Sequence, residues 1–194
     1  MGVTKTATKQ TLPGENREGN QINTRAFEGL SRNNRDPQKC ACGNTGVHHV
    51  GLYAKDPSAS AKFYRDLLNM QIVGGSGPEN PLGASAFLCS RPDEESHEIA
   101  LFANPVYAHV AFKVSSLVEL RSLHTRVVER GIPIKFAFDH GVSFAFYFDD
   151  PDGHMIEVYW PTGALQSYRQ PYAEPLDLTQ AADLLLEKVA HGSA

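Results

Sequence analysis

The sequence predicts an α+β fold made of two tandem βαβββ modules, and three observations carry that prediction. Short β-rich runs alternate with only two amphipathic helical patterns between residues 46 and 162. The order of elements in the first half is repeated in the second. Short segments at the start and end of each half match at nearly constant offsets. The chain has 194 residues, 41% apolar and 9% aromatic, which is enough for one hydrophobic core.

In the first module, about 46–104, residues 47–54 read as a strand. A helix follows over 58–69, with Ala59, Phe63 and Leu67 at the i, i+4, i+8 spacing of one face. Strands near 70–73, 84–89 and 98–102 come next, separated by the Gly74-Gly75-Ser76-Gly77-Pro78 turn and the Arg91-Pro92-Asp93-Glu94-Glu95 loop. The second module, about 105–162, opens with a strand over 107–114. Ser116 and Glu119 form an S-x-x-E capping box, and Leu120, Leu123 and Val127 mark the buried stripe of the helix. Gly131 and Pro133 end that helix, and strands near 133–138, 142–148 and 154–160 complete the module, with Asp150-Pro151-Asp152-Gly153 turning into the last.

The internal repeat fixes equivalences. His49-Val50-Gly51-Leu52 lies over His109-Val110-Ala111-Phe112, sixty positions on, and His97-Glu98-Ile99-Ala100-Leu101 over His154-Met155-Ile156-Glu157-Val158, fifty-seven on. Two copies of a long period imply paired modules closing round a shared cleft, not a solenoid.

Residues 1–45 carry seven basic and four acidic side chains with few large apolar ones, the composition of a disordered basic tail. The rest of the chain holds eleven bases and eighteen acids, so tail and body have opposite signs. Residues 163–194 form a C-terminal extension: 169–175 read as an extended segment laid over the body, and Thr179 is the expected cap of one last helix through Leu184–Val189. The net charge of -4 argues against a nucleic-acid binder. No apolar run approaches the ~18 residues of a membrane span, and no apolar block follows the first basic residues, so the expected compartment is the cytoplasm. The three cysteines make neither a disulfide framework nor a C-x-x-C metal motif. Paired modules of this size point to a homodimer.

Strand alternation lets one member of the His48-His49 pair face the cleft. Through the repeat, His49 and His109 hold equivalent places on the first strands of the two modules, and Glu157 lies in the last strand of the second. Two imidazoles and a carboxylate on adjoining strands suit a divalent transition metal with open positions for substrate and oxygen: Fe(II) first, Mn(II) next, Zn or Ni if the chemistry is not oxidative. The other histidines of the modules and C-terminus, His48, His124, His154 and His191, read as structural.

The tandem modules, His49-Val50-Gly51-Leu52 with Asp56-Pro57 and Phe63-Tyr64 downstream, and Asp150-Pro151-Asp152-Gly153-His154-Met155-Ile156-Glu157 together resemble the vicinal oxygen chelate superfamily. That superfamily includes glyoxalase I, fosfomycin-resistance proteins, epimerases and extradiol dioxygenases. The resemblance covers about residues 46–162 and implies a cupped mixed sheet around a metal site. Glyoxalase I places a second metal carboxylate at the repeat-mate of Glu157, which here is Ala100. Three further residues match the ring-cleaving extradiol dioxygenases: His97 as acid/base, Tyr147 donating to a substrate oxygen, and His140 in Asp139-His140-Gly141 beside the pocket.

The resemblance therefore implies an Fe(II)-dependent dioxygenase of aromatic catabolism that opens a small catechol-like diol with O2. A histidine is the side chain whose ordinary pKa suits removing the diol proton. Phe87, Phe144, Phe146 and Phe148 are available as an aromatic wall, although core packing accounts for most of them. Two rival readings keep the fold: a glyoxalase-like isomerase, epimerase or thiol transferase, and a bleomycin-resistance-type binding protein that needs no metal.

Overall fold

The computed structural model describes residues 44–164 and 170–191. The basic segment 1–45 lies outside the described residues except for Asn44 and Thr45, which begin the first strand, and so do Cys40 and Cys42.

The first module comprises β1 (Asn44–Tyr53), α1 (Pro57–Leu68), β2 (Gln71–Ser76), β3 (Ser85–Cys89) and β4 (Ile99–Phe102). A single 3-10 turn, Pro105–Tyr107, leads into β5 (His109–Val114), α2 (Leu117–Glu129), β6 (Phe136–Asp139), β7 (Ser143–Asp149) and β8 (Met155–Pro161). A short β9 (Glu174–Pro175) and α3 (Ala182–His191) follow. All nine strands form one sheet in the order β2-β3-β4-β1-β5-β8-β7-β6-β9. Each module has its first strand parallel to its last, and the two modules join through antiparallel β1 and β5 at the centre. The sheet is mixed and curls into a half-barrel, as the sequence leads one to expect.

The repeat offsets read from the sequence are reproduced by the hydrogen-bond register. Gly51 is level with Ala100 between β1 and β4, and Ala111 is level with Glu157 between β5 and β8. Offsets of sixty and fifty-seven thus relate one pair to the other.

Local chemistry explains both main helices. Asp56 caps α1 by accepting from Ala59 N at 3.0 Å, with Pro57 at the first position, where a missing N–H costs nothing. Ser116 caps α2 by accepting from Glu119 N, and the Glu119 carboxylate reaches back to Ser115 N at 2.8 Å. Leu120 and Val127 are buried against β5, β7, β8 and α3, with Leu123 packed at their edge.

Four local expectations are corrected. The stripe Ala59, Phe63, Leu67 faces solvent, with Phe63 59% and Leu67 65% exposed. The sheet is met instead by Pro57, Ala61 and Tyr64, because a small residue at 61 lets α1 approach β3 and β4 closely. Gly74, Gly75 and Ser76, read as a turn, continue β2 in register with β3. Thr179 does not cap α3; its hydroxyl bonds Asp177, and the helix starts three residues later. Finally, Phe144 and Phe146 are fully buried on the helix-covered side of β7, and Phe148 packs with them, so of the four wall candidates only Phe87 lines the cleft. Among the described residues no helix is long and apolar enough to cross a membrane.

Candidate metal centre

Three neighbouring strands bring three donor atoms to one point. Register sets His49 of β1 opposite Ala111 of β5, and Ala111 level with Glu157 of β8, so the three form a row across the sheet. His109, two residues before Ala111, lies on the same face and opposite Gly51. Small side chains at the middle of this patch leave room between the donors. Ala111 is fully buried between His49 and Glu157. Gly51 accommodates the His109 ring directly: a Cβ there would lie 2.5 Å from two ring atoms and 3.0 Å from the Tyr107 carbonyl.

His49 Nε2, His109 Nε2 and Glu157 Oε2 form a triangle with edges of 3.1, 3.1 and 3.2 Å. Three ligands about 2.2 Å from a common centre at right angles span edges of this size. The donor set fits a divalent transition metal, and it is the one group of three or more metal-ligating side chains found among the described residues. His109 Nδ1 donates to the Tyr107 carbonyl at 2.7 Å, so in the neutral ring the Nε2 lone pair faces the other two donors, and in the protonated ring Nε2 donates to Glu157. Burial opposes the charge of Glu157, but attraction to His49 and hydrogen bonds with both imidazoles outweigh it and hold the carboxyl well below its usual range. Burial lowers the pKa of His109, and its bonds to Glu157 and Tyr107 raise it above the ordinary histidine value on balance.

The residues matched to chemistry flank this triangle. His97 lies just before β4, its ring 4.4 Å from that of His49 and 5.1 Å from that of Phe87. Its Nδ1 bonds Ser96 Oγ at 3.0 Å, leaving Nε2 as the ring's other polar atom. Burial, reinforced by His49, pushes its pKa well below 6.5, so it is neutral at pH 7. On the other side Tyr147 stands directly opposite Glu157 in the β7–β8 ladder. The Tyr147 hydroxyl lies 2.9 Å from His140 Nε2, and burial, with the nearby Glu157 charge, raises its pKa far enough to keep it protonated. All six named residues, His49, His97, His109, His140, Tyr147 and Glu157, line one cavity of about 150 Å³.

His48 departs from the expected alternation. A β-bulge between Val47 and His49 turns it to the same side as Tyr159, whose hydroxyl meets its Nδ1 at 2.7 Å while Glu95 meets Nε2 at 2.9 Å. It remains a structural residue, outside the cavity lining.

Sequence reasoning missed several wall residues. Phe136 and Phe138 of β6 present their rings to Tyr147, and Phe102 and Tyr107 stand beside His109. The parity of β6 carries that signal only once its register with β7, Phe136 opposite Tyr147, is known. Gln170, Tyr172 and neighbouring residues of the C-terminal extension close the remaining side, without any local motif to mark them.

This paired-module sheet with a two-histidine, one-carboxylate centre defines a protein of the vicinal oxygen chelate type. The chain belongs to the Glyoxalase/Bleomycin resistance protein/Dioxygenase superfamily, whose family model matches residues 46–158. It is 32% identical over 122 residues to biphenyl-2,3-diol 1,2-dioxygenase 3 of Rhodococcus globerulus, a match covering 57% of this chain and 60% of that one. It is 25% identical over 140 residues to the fosfomycin resistance protein FosX of Listeria monocytogenes, covering 67% of this chain and 98% of that one. A crystal structure of a catechol 2,3-dioxygenase superposes with a TM-score of 0.54 at 20% identity, covering 68% of this chain and 46% of that one, a likeness of fold. The chain thus spans less than two thirds of the length of these two dioxygenases.

Proposed function

We propose that this protein is a metal-dependent extradiol-type dioxygenase that opens a small, apolar, catechol-like ring with O2, using Fe(II) or, in second place, Mn(II). The observation that carries this reading is the pairing, across the His49–His109–Glu157 triangle, of a neutral histidine on one side with a Tyr147–His140 hydrogen bond on the other. When bound, the metal supplies Lewis acidity and a common meeting place for diol and dioxygen. The protein's own residues do the rest. His97 accepts a diol proton, a role open to it because burial keeps it neutral. Tyr147 hydrogen-bonds a substrate oxygen and remains a phenol throughout. Phe87, Phe102, Phe136 and Phe138 hold a planar ring and exclude water.

The likeness to the fosfomycin resistance protein FosX supports a second reading, an isomerase, epimerase or thiol transferase of the same fold. The lining weighs against it: its wall is largely aromatic, which suits a planar ring, and among the described residues no Lys or Arg lines the cavity. A homodimer working in the cytoplasm is part of the first reading, and sedimentation velocity measures its assembly.

The deciding experiment is metal content after anaerobic purification, followed by oxygen uptake and near-ultraviolet scans with catechol and 2,3-dihydroxybiphenyl. Oxygen consumption with a new semialdehyde chromophore is expected. His97→Gln should keep its metal and lose about 10²–10⁴-fold in turnover, the usual contribution of a positioned acid/base group. No oxygen uptake with any diol, or full turnover by His97→Gln, overturns the reading.

A further inference from the structure

Residues 170–178 form a strap whose first four residues, Gln170 to Ala173, line the cavity, and Gln170 ties it at three points. Its carbonyl accepts from Gly75 N of β2 at 3.1 Å. Its side-chain Nε2 donates to the His140 carbonyl at 3.0 Å, and its Oε1 accepts from Tyr172 N at 3.3 Å. The strap thereby joins the outer strand of the first module to the β6–β7 turn of the second. Beyond it, Leu176 N bonds the Ala137 carbonyl of β6, and Arg121 of α2 donates to the carbonyls of Leu178 and Gln180.

This docking has a consequence for the site. The Tyr172 carbonyl lies 2.6 Å from His140 Nδ1, and His140 Nε2 lies 2.9 Å from the Tyr147 hydroxyl. A carbonyl oxygen only accepts, so Nδ1 carries the proton, and in the neutral ring Nε2 is left as an acceptor. The Tyr147 hydroxyl is therefore the donor in its contact with His140, where Nε2 competes with the Glu157 carboxylate for the same proton.

We propose that Gln170 is a positioning residue: by docking the strap it holds His140 in the Nδ1–H tautomer, which makes His140 Nε2 the acceptor that draws the Tyr147 proton away from Glu157 and leaves the phenol oxygen to accept from a substrate hydroxyl. This reverses the direction expected for Tyr147 from the sequence. The part concerning substrate rests on the dioxygenase reading; the part concerning the tautomer does not.

The test is nitrogen-15 NMR of the histidine rings in the full chain, metal-free and with Zn(II) added, the His140 signals being those lost in His140→Gln. In the native sequence a protonated Nδ1 and an unprotonated Nε2 are expected. Gln170→Ala removes two of the three ties. Gly74→Ala attacks the third from outside the site, since a Cβ there would lie 2.8 Å from the Gln170 carbonyl oxygen while the backbone has no positive φ to oppose alanine. In both variants the two His140 nitrogens should move toward the averaged signals of a ring exchanging tautomers. With a diol that the native protein turns over, kcat/KM should fall about 10- to 100-fold, the usual cost of losing an outer partner. Gln170→Glu keeps the acceptor for Tyr172 N but loses the donor to His140, and should follow Gln170→Ala. A proton on Nε2 in the native sequence, or unchanged His140 signals in the folded variants, overturns the proposal. If Gln170→Ala does not fold, the native signals and Gly74→Ala decide. A native protein that turns over no diol refutes the dioxygenase reading and leaves the tautomer result standing.

Discussion

At Gly51 the absence of a side chain is a functional feature. The His109 ring lies across the backbone of β1 where any Cβ would stand, so Gly51→Ala must move the ring, and with it one corner of the donor triangle. Because displaced ligands and their partners typically cost 10–100-fold in metal affinity, that loss is expected for Gly51→Ala, measured by competition with a chromophoric chelator. Circular dichroism should be unchanged. Undiminished affinity would show that the ring has another place to go. The same logic applies to Ala111, which is fully buried between His49 and Glu157 and leaves the space in which their donor atoms meet. The candidate donors His49, His109 and Glu157 were legible in the sequence through the repeat. The glycine and alanine that make room for the ligands were not, because their role exists only across strand pairs.

Among elements, α3 and the strap are distant in sequence from the ligands yet complete the second module. Leu185 of α3 is fully buried with Leu120, Phe144 and Phe146, and Leu176 and Leu178 of the strap join the same cluster. Leu185→Ala should therefore destabilise the protein by about 3 kcal/mol through lost burial and a residual cavity, read from the urea midpoint at constant slope. A cost below about 1 kcal/mol would mean that α3 is peripheral to this core. The helix patterns show both the strength and the limit of periodicity. For α2 the capping box and stripe identified start and buried face together. For α1 the spacing located the helix but selected its solvent face, because two apolar stripes were present and the one with the smaller residues packs closer to a sheet.

For the whole molecule, the buried histidines set a pH dependence. Burial lowers the pKa values of His48, His97, His124 and His140 below 6.5. Between those folded values and about 6.5 the unfolded chain binds more protons, so stability falls as pH drops below about 6.5, by up to about 1.4 kcal/mol per pH unit for each of the more deeply buried His97 and His140 and by less for the partly exposed His48 and His124. The raised pKa of His109 acts in the opposite sense: its contribution is present below about 6.5 and is lost as pH rises through its folded value. Glu157, held low, adds a further loss only below about pH 4.5. Chelated protein should accordingly be most stable near pH 6.5, with a shallower acid limb in His140→Gln, both measured by thermal melting across pH. A flat profile from pH 5 to 7 would contradict the buried, neutral state of these rings.

What the sequence by itself determined about this protein is its local and repeated content: the order of elements, the two modules, and the equivalence of His49 with His109 that leads to Glu157. These are legible because alternation, capping and internal similarity are properties of neighbouring residues or of fixed offsets along one chain. Only the tertiary structure decided which surfaces meet. The bulge that turns His48 away from the expected side, the ring of His109 over Gly51, the β6 phenylalanines at Tyr147 and the strap at His140 all depend on strand register and on a chain end returning over the sheet. Such contacts join residues 32 positions apart for His140 and Tyr172, 60 for His49 and His109, and 111 for His48 and Tyr159. They form because the curled sheet brings distant strands side by side and buries their side chains, where apolar rings pack and each polar atom must find its hydrogen bond.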